Sequence, residues 1–152
     1  MTGKRLFKPS IDAALEAIGA LDPGASSPPP EADLPRRVDK PWGHEIIWAH
    51  ADQYVGKLLV INAGRRQSFQ YHEVKDEWIH VLSGRLLLTL ENAAGVVEDR
   101  ELGPGEGAHV AVGRRHRYTA IETCTLIEVS TPELDDVVRL EDDFGREGTT
   151  AP

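Results

Sequence analysis

Short runs of alternating apolar and polar residues, separated by turn residues, extend from Val38 to Ser130, and this pattern limits the choice of fold most strongly. Turn signals rich in asparagine and glycine lie at 62–64, 92–95 and 103–107. The runs between the turns give nine candidate strands: GHEIIWA, YVGKLLVINA, SFQYHE, EWIHVLSG, RLLLTLEN, VVEDREL, GAHVAV, HRYTAIE and TCTLIEVS. Because no long helical period separates them, they predict an all-β antiparallel sandwich or barrel. A double-stranded jelly roll is the natural closed form.

Two flanking segments differ from this strand-rich region. Ser10 can cap a short helix over IDAALEAIGAL, whose isoleucine and leucine residues form one apolar stripe. The next segment, DPGASSPPPEADLP, predicts an extended arm because it is rich in proline, serine and glycine. We therefore divide the chain into a helix and linker over 1–37, a β-domain over 38–146 and a tail over 147–152. Near the end of the β-domain, an acidic segment predicts a short helix from Leu134 to Val138.

Composition excludes several classes of function. The 152 residues and 16.7 kDa suffice for one hydrophobic core and little more. A formal net charge of −8 argues against binding to nucleic acid or to an anionic membrane. The chain has one cysteine, Cys124, which we expect to be a buried thiol without a chemical role. No apolar run approaches the roughly 18 residues of a membrane span, and no signal-peptide pattern is evident, so we expect a cytoplasmic protein.

Four side chains at strand spacing are candidate ligands for a metal ion. Gln70 and His72 are two residues apart, so on a strand both side chains leave the same face. Glu77 begins the apolar run WIHVL, and His116 follows a glycine turn. Two imidazoles and one carboxylate suit a divalent transition metal, and an amide oxygen can complete the set at or near the metal. The set predicts one divalent ion per chain and leaves its identity open among Zn, Mn, Fe, Co and Ni.

These residues also carry a family resemblance. The segment GRRQSFQYHEVKDEWIHVLSG is similar to the first cupin motif, a glycine, five residues, H-x-H, four residues, glutamate, six residues and a glycine. Gln70 stands at the position of the first histidine, and the second motif is matched by Gly105, Gly113 and His116. SFQYH resembles the S-x-Q-x-H segment of type II mannose-6-phosphate isomerases. KPWGHEIIW and the segment from Ile127 to Arg146 resemble two further segments of that family, so the similarity covers 38–146.

The resemblance implies a cupin jelly roll, a metal-dependent aldose–ketose isomerase and a sugar-phosphate substrate. Basic residues concentrated near the motifs would form a local anion site in this acidic chain, although each can also be an ordinary solvated turn residue. The candidate substrate-binding residues are Lys57, Arg65, Arg114, Arg139 and Arg146. Candidate bases for proton transfer between C1 and C2 are Glu73, Lys75 and His109. The isomerases usually have H-H-H-R-x-E-H-W where this chain has HEVKDEW, so two family histidines are missing here.

Other functions fit the same motifs. The second hypothesis is a non-catalytic cupin that binds a sugar or sugar nucleotide, and the third is another cupin enzyme, a dioxygenase or an epimerase. We also expect a homodimer, because small cupins leave sheet edges and apolar outer faces that favour pairing.

Overall fold

The computed structural model describes residues 34–148, and within them it is built from strands. The nine strands are β1 (Arg36–Lys40), β2 (Gly43–His50), β3 (Val55–Ile61), β4 (Phe69–Tyr71), β5 (Glu77–Glu91), β6 (Val97–Leu102), β7 (Gly107–Val110), β8 (His116–Ser130) and β9 (Val138–Glu141). In the part of the chain described, no helix is long and apolar enough to cross a membrane. The predicted helix over IDAALEAIGAL lies outside the described residues, as do most of the extended arm and most of the tail.

All strand pairs are antiparallel, and the two long strands β5 and β8 organise the sheet. The order β1-β2-β3-β8-β4-β9 forms one path, and β5 pairs with β6, β7 and β8. β8 pairs with β5 from Ser130, opposite Glu77, to His116, opposite Leu90. Its second half also pairs with β3, and His116 at its start pairs with Gln70 of β4. The prediction of an all-β jelly roll is therefore confirmed.

Four of the predicted strands are halves of the two long strands. EWIHVLSG and RLLLTLEN form β5, while HRYTAIE and TCTLIEVS form β8. Gly84, at the junction in β5, has φ +79° and lies among irregularities of the β5–β8 register. A Cβ on Gly84 would lie 2.1 Å from the carbonyl oxygen of Thr123, so only glycine lets the strand bend here without breaking. The glycine is therefore a bend within a strand and not a turn between two strands.

The predicted helix from Leu134 to Val138 is wrong. Residues 134–137 lie in turns and irregular backbone, and Val138 begins β9. Arg139 and Val138 pair with β4, and Arg139 also forms a bridge with Gly148. Sheet pairing therefore begins at Val138, where a helix through Leu134 to Val138 would have ended, and that helix would forfeit the pairing of Val138 with Tyr71.

The hydrophobic core lies between the two halves of the curled sheet. Its largest fully buried side chains include leucines and isoleucines of β3, β5 and β8 together with Tyr118. Cys124 belongs to this core with 0 % exposure, and burial raises the pKa of its thiol to about 11. The expectation of a buried thiol is thus confirmed, and the raised pKa disfavours the reactive thiolate. Trp42 is buried at the edge of the core, where a second group of inward-facing side chains is polar.

Candidate metal centre and adjoining cavity

Three predicted ligands come together inside the barrel. His72 directly follows β4, Glu77 is the first residue of β5, and His116 is the first residue of β8. Their side chains are all buried, and one potential ligand atom from each lies within 4.8 Å of the others. The two imidazole rings are tilted by 48°, with their centroids 5.1 Å apart. The pairing of Gln70 with His116 holds β4 against β8 and so brings His72 to the same place.

The hydrogen bonds of both imidazoles fix their tautomer. Nδ1 of His72 bonds to the carbonyl oxygen of Asp136, and Nδ1 of His116 lies 2.9 Å from that of Arg114. A carbonyl oxygen only accepts, so each Nδ1 carries a proton and, in the neutral imidazole that binds a metal, each Nε2 has a free lone pair. Within residues 34–148, neither buried Nε2 has a hydrogen-bond partner. They lie 3.6 Å and 3.3 Å from the carboxylate oxygens of Glu77, so three acceptor atoms converge as a cation site requires.

Glu77 is held in the ionised form by its neighbours. Tyr118 donates its hydroxyl to Oε1 at 2.7 Å, and Nζ of Lys75 lies 2.6 Å from Oε2. Burial alone would raise the pKa of Glu77, but the ammonium group of Lys75 lowers it well below its ordinary value. Burial opposes the charge on Lys75, but Glu128, also at 2.6 Å, and Glu77 together raise the pKa of the lysine. Lys75 is therefore a fixed cation. Glu77 is ionised, which is the form in which a carboxylate coordinates a metal ion.

A cavity of about 100 Å³ adjoins these residues. It is smaller than the roughly 300–1,000 Å³ of typical small-molecule sites, so it has room for only part of a drug-sized ligand. Strands β1 to β5, β8 and β9 contribute to its lining. Nearly half of the lining side chains are charged: Lys40, Glu45, Lys57, Lys75, Glu77, Glu128, Arg139 and Arg146.

Arg139 differs from the other cations of the cavity. Glu45 lies 3.3 Å from Lys57 and 3.8 Å from Lys40, and Asp142 holds Arg146 at 2.9 Å. Arg139 is only 9 % exposed, and its Nε and Nη1 have no hydrogen-bond partner within the described residues. Burial and Arg146 lower the pKa of Arg139, but a guanidinium remains charged at neutral pH. The cavity therefore offers an anion one buried, unpaired guanidinium.

The predicted substrate-binding residues divide into two groups. Lys57, Arg139 and Arg146 line the cavity. Arg65 is exposed and Arg114 donates to the carbonyl oxygen of Asn92, and neither lines the cavity. The structure therefore brings three of the five basic residues together.

Two of the three candidate bases lie outside the cavity, and the fourth predicted ligand, Gln70, lines it. Glu73 is exposed outside the cavity. His109 stacks on Trp78 with ring centroids 4.9 Å apart and pairs with Asp76 at 2.7 Å, also outside the cavity. Lys75 lines the cavity as a cation. Gln70 lines it too, and its Oε1 accepts the hydroxyl of Ser68 at 2.5 Å.

The sequence analysis missed several residues of this site. Tyr118 lies two residues after His116, and Glu128 lies at the inward spacing of Leu126 and Ser130. Strand periodicity alone would have placed both inside the barrel. Asp136 and Glu45 carry no comparable sequence signal, because their roles depend on long-range contacts.

Known proteins resemble this chain over the strand-rich domain that contains the candidate metal centre. Residues 57–130 match the family model described as a cupin domain. The chain is 31 % identical over 121 residues to mannose-1-phosphate guanylyltransferase ManC of Salmonella typhimurium, covering 76 % of this chain. It spans 24 % of the length of that relative, so a quarter of the relative corresponds to this domain.

Solved structures share the fold. KdgF from Halomonas sp. has a TM-score of 0.57 at 23 % identity, over 64 % of this chain and 87 % of that one. Bacillus subtilis oxalate decarboxylase, studied for its Mn(II) centres, has a TM-score of 0.60 at 17 % identity, over 68 % of this chain and 29 % of that one. At these identities the likeness shows the shared architecture alone.

Proposed function

The chain belongs to the cupin superfamily, and we propose from this premise that it is a metal-dependent cupin acting on a sugar phosphate. The activity proposed is aldose–ketose isomerisation of the mannose-6-phosphate isomerase type. One observation carries the proposal: two buried imidazoles present Nε2 atoms beside Glu77, next to a cavity with the guanidinium of Arg139, and neither these Nε2 atoms nor Nε and Nη1 of Arg139 have a hydrogen-bond partner among residues 34–148. The site thus provides ligands for one divalent cation and a counter-charge for one anion.

His72, Glu77 and His116 would hold the metal, with Gln70 at or near it. A bound divalent ion supplies Lewis-acid polarisation of carbonyl and hydroxyl oxygens. The chain's own residues bind and orient the ligand around that position. Arg139 and Lys57 bind the phosphate, while the buried walls exclude water from the reacting end. ManC is named for a mannose 1-phosphate activity, and this supports a carbohydrate ligand for the related domain.

A non-catalytic sugar- or sugar-nucleotide-binding cupin is the second candidate, and the placement of the bases favours it. Isomerisation needs a group that moves a proton between C1 and C2. Glu73 and His109 lie outside the cavity, and Lys75 is a paired cation. Glu45 and Glu128 line the cavity, but each is bound to a lysine. A binding module needs the metal and anion sites and no such base.

Ligand binding by metal-loaded protein tests the proposal. We expect mannose 6-phosphate and fructose 6-phosphate to bind more tightly than mannose and fructose, because only the phosphates can neutralise Arg139. Arg139→Ala should weaken binding of the phosphates by about 1.5–3 kcal/mol, the scale of a charged hydrogen bond. Calorimetry measures the affinities, and NMR of the mixture measures interconversion of the two sugar phosphates.

Arg114→Ala is the matched control, because this arginine lies outside the cavity and should leave the affinity unchanged. Equal affinity for phosphorylated and free sugars would reject the anion site. Binding without interconversion would reject the isomerase and assign the chain to the second candidate.

The homodimer stays a prediction, and the outer face of the sheet supports it. On this face, which is turned away from the cavity, Val129 of β8 pairs with Gly56 of β3 on one side and with Trp78 of β5 on the other. Trp48 lies over Gly56, and the exposed fractions of Trp48, Val129 and Trp78 are 43 %, 47 % and 53 %. Such an apolar row suits contact with a second copy. Light scattering should give about twice the 16.7 kDa chain mass, and a mass of one chain at micromolar concentration would reject the dimer.

A further inference from the structure

Asp136 makes two kinds of contact with the loop that carries the first metal ligand. Its carboxylate accepts the backbone N–H groups of Glu73, Val74 and Lys75 at 3.1, 2.7 and 2.8 Å. Its backbone carbonyl accepts the Nδ1 proton of His72. One residue therefore binds four consecutive residues of the loop between β4 and β5. The three amides would otherwise lack a partner from regular secondary structure.

The segment that contains Asp136 is fixed to the same loop at a second point. Thr131 donates its N–H to the carbonyl of Asp76 at 3.0 Å and accepts the Asp76 N–H on its hydroxyl at 3.0 Å. The loop from His72 to Asp76 is thus tied at both ends to residues 131–136. The rotation of the His72 ring depends on the position of the Asp136 carbonyl. That position is determined by the hydrogen bonds between the Asp136 carboxylate and the three backbone N–H groups.

The same segment continues into the anion side of the cavity. Leu134 and Val137 line the cavity, and β9 places Arg139 beside Gln70 of β4. A residue that fixes this segment against the loop of His72 therefore determines the position of Arg139 relative to His72.

We propose that Asp136 is a positioning residue of the metal centre, which holds His72 as the Nδ1–H tautomer with Nε2 directed at the metal position. The inference rests on the proposed function for the role of the metal, but the tautomer of His72 belongs to the metal-free protein. Groups that accept a hydrogen bond from a ligating imidazole typically contribute 10- to 100-fold to metal affinity. Here the acceptor is a backbone carbonyl, so the side chain acts through the loop that it binds.

Three variants of the full chain test the role of Asp136. Asp136→Ala removes both carboxylate oxygens that accept the three amides, whereas Asp136→Asn keeps one acceptor oxygen. Asn92→Ala is the matched control. Its side-chain oxygen accepts the N–H groups of Ala94 and Val96 at 2.9 and 3.1 Å in the turn between β5 and β6, outside the cavity. It therefore removes backbone hydrogen bonds of the same kind from a turn that, within the described chain, makes no hydrogen bond with His72 or with the loop between β4 and β5.

Two measurements are made on each variant. NMR correlation of the imidazole nitrogens in metal-free protein should show His72 as a single Nδ1–H tautomer in the wild type and in Asn92→Ala. In Asp136→Ala we expect a mixture of tautomers. Competition with a chromophoric chelator should show affinity for Zn²⁺ and Mn²⁺ reduced about 10- to 100-fold in Asp136→Ala. Asp136→Asn should lie between, and Asn92→Ala should match the wild type.

An unchanged His72 tautomer in Asp136→Ala would overturn the inference, whatever the metal affinity. If Asp136→Ala does not fold, the His72 tautomer is compared between Asp136→Asn and the wild type. An unchanged tautomer in Asp136→Asn would then overturn the inference. Absence of metal binding by the wild type would reject the proposed function alone, because the tautomer is measured without metal.

Discussion

Replacing His72 and His116 together by alanine should remove bound divalent metal from the purified protein, lowering it from about one ion per chain to none detectable. Each imidazole presents a buried Nε2 without a hydrogen-bond partner in the described chain, and each Nδ1 is fixed by a carbonyl. After removal of both, Glu77 remains as one buried carboxylate already paired with Lys75. One such ligand cannot compete with water for a divalent ion. Elemental analysis after gel filtration measures the metal content.

His80→Ala is the control for this experiment. His80 is exposed on the opposite face of β5, three residues after Glu77, so the control removes a histidine without touching the cavity. It should retain the metal of the wild type. Circular dichroism must show that the double variant keeps its strand content. A folded double variant that still contains stoichiometric metal would contradict the assignment of the ligands.

The set of candidate metal ligands could be predicted from sequence because strand geometry determines which side chains share a face. Gln70 and His72 are separated by two, and the distances between the glycines matched the cupin motifs. The same reasoning predicted the strands but divided β5 in two, since a glycine at a strand interior has the composition of a turn. Only the contact of Gly84 with Thr123, 39 residues later in the chain, shows that the strand continues.

The roles of the charged residues could not be predicted to the same extent. Sequence proximity to the motifs made Arg65 and Arg114 candidates, whereas Arg139 was a candidate by its resemblance to a sugar-phosphate contact of the isomerases. Of these three, only Arg139 lines the cavity. Pairing of β9 with β4 places Arg139 there, and this pairing has no local signal in the acidic segment around it. Lys75 was a candidate base by its position. Its actual state depends on Glu128, which is 53 residues away.

Lys75→Met should lower the free energy of unfolding of the metal-free protein by about 3–5 kcal/mol at neutral pH, as expected when one partner of a buried ion pair is removed. Methionine approximates the length of the lysine chain but carries no charge. Glu77 and Glu128 would then remain buried without the cation that lies 2.6 Å from each. Chemical denaturation of chelator-treated protein measures the loss.

Arg85→Met is the control, because the Arg85–Glu101 pair is about half exposed on both sides. Exposed pairs contribute about 0–1 kcal/mol, so this variant should stay close to the wild type. A loss in Lys75→Met no larger than that of Arg85→Met would contradict the importance assigned to the buried cation.

The pH dependence of the Lys75→Met deficit identifies its cause. In the wild type the pKa of Glu77 is well below its ordinary value of 4.5. Its contribution to stability is therefore complete above pH 4.5 and is lost only as the pH falls through the lower pKa of the folded state. Without the Lys75 cation, burial raises the pKa of Glu77, which takes up a proton in the folded variant at a higher pH than in the wild type. The variant should therefore lose less stability than the wild type on acidification, and the deficit should shrink below about pH 5. A deficit that stays constant from pH 7 to pH 4 would instead indicate lost packing around the lysine side chain.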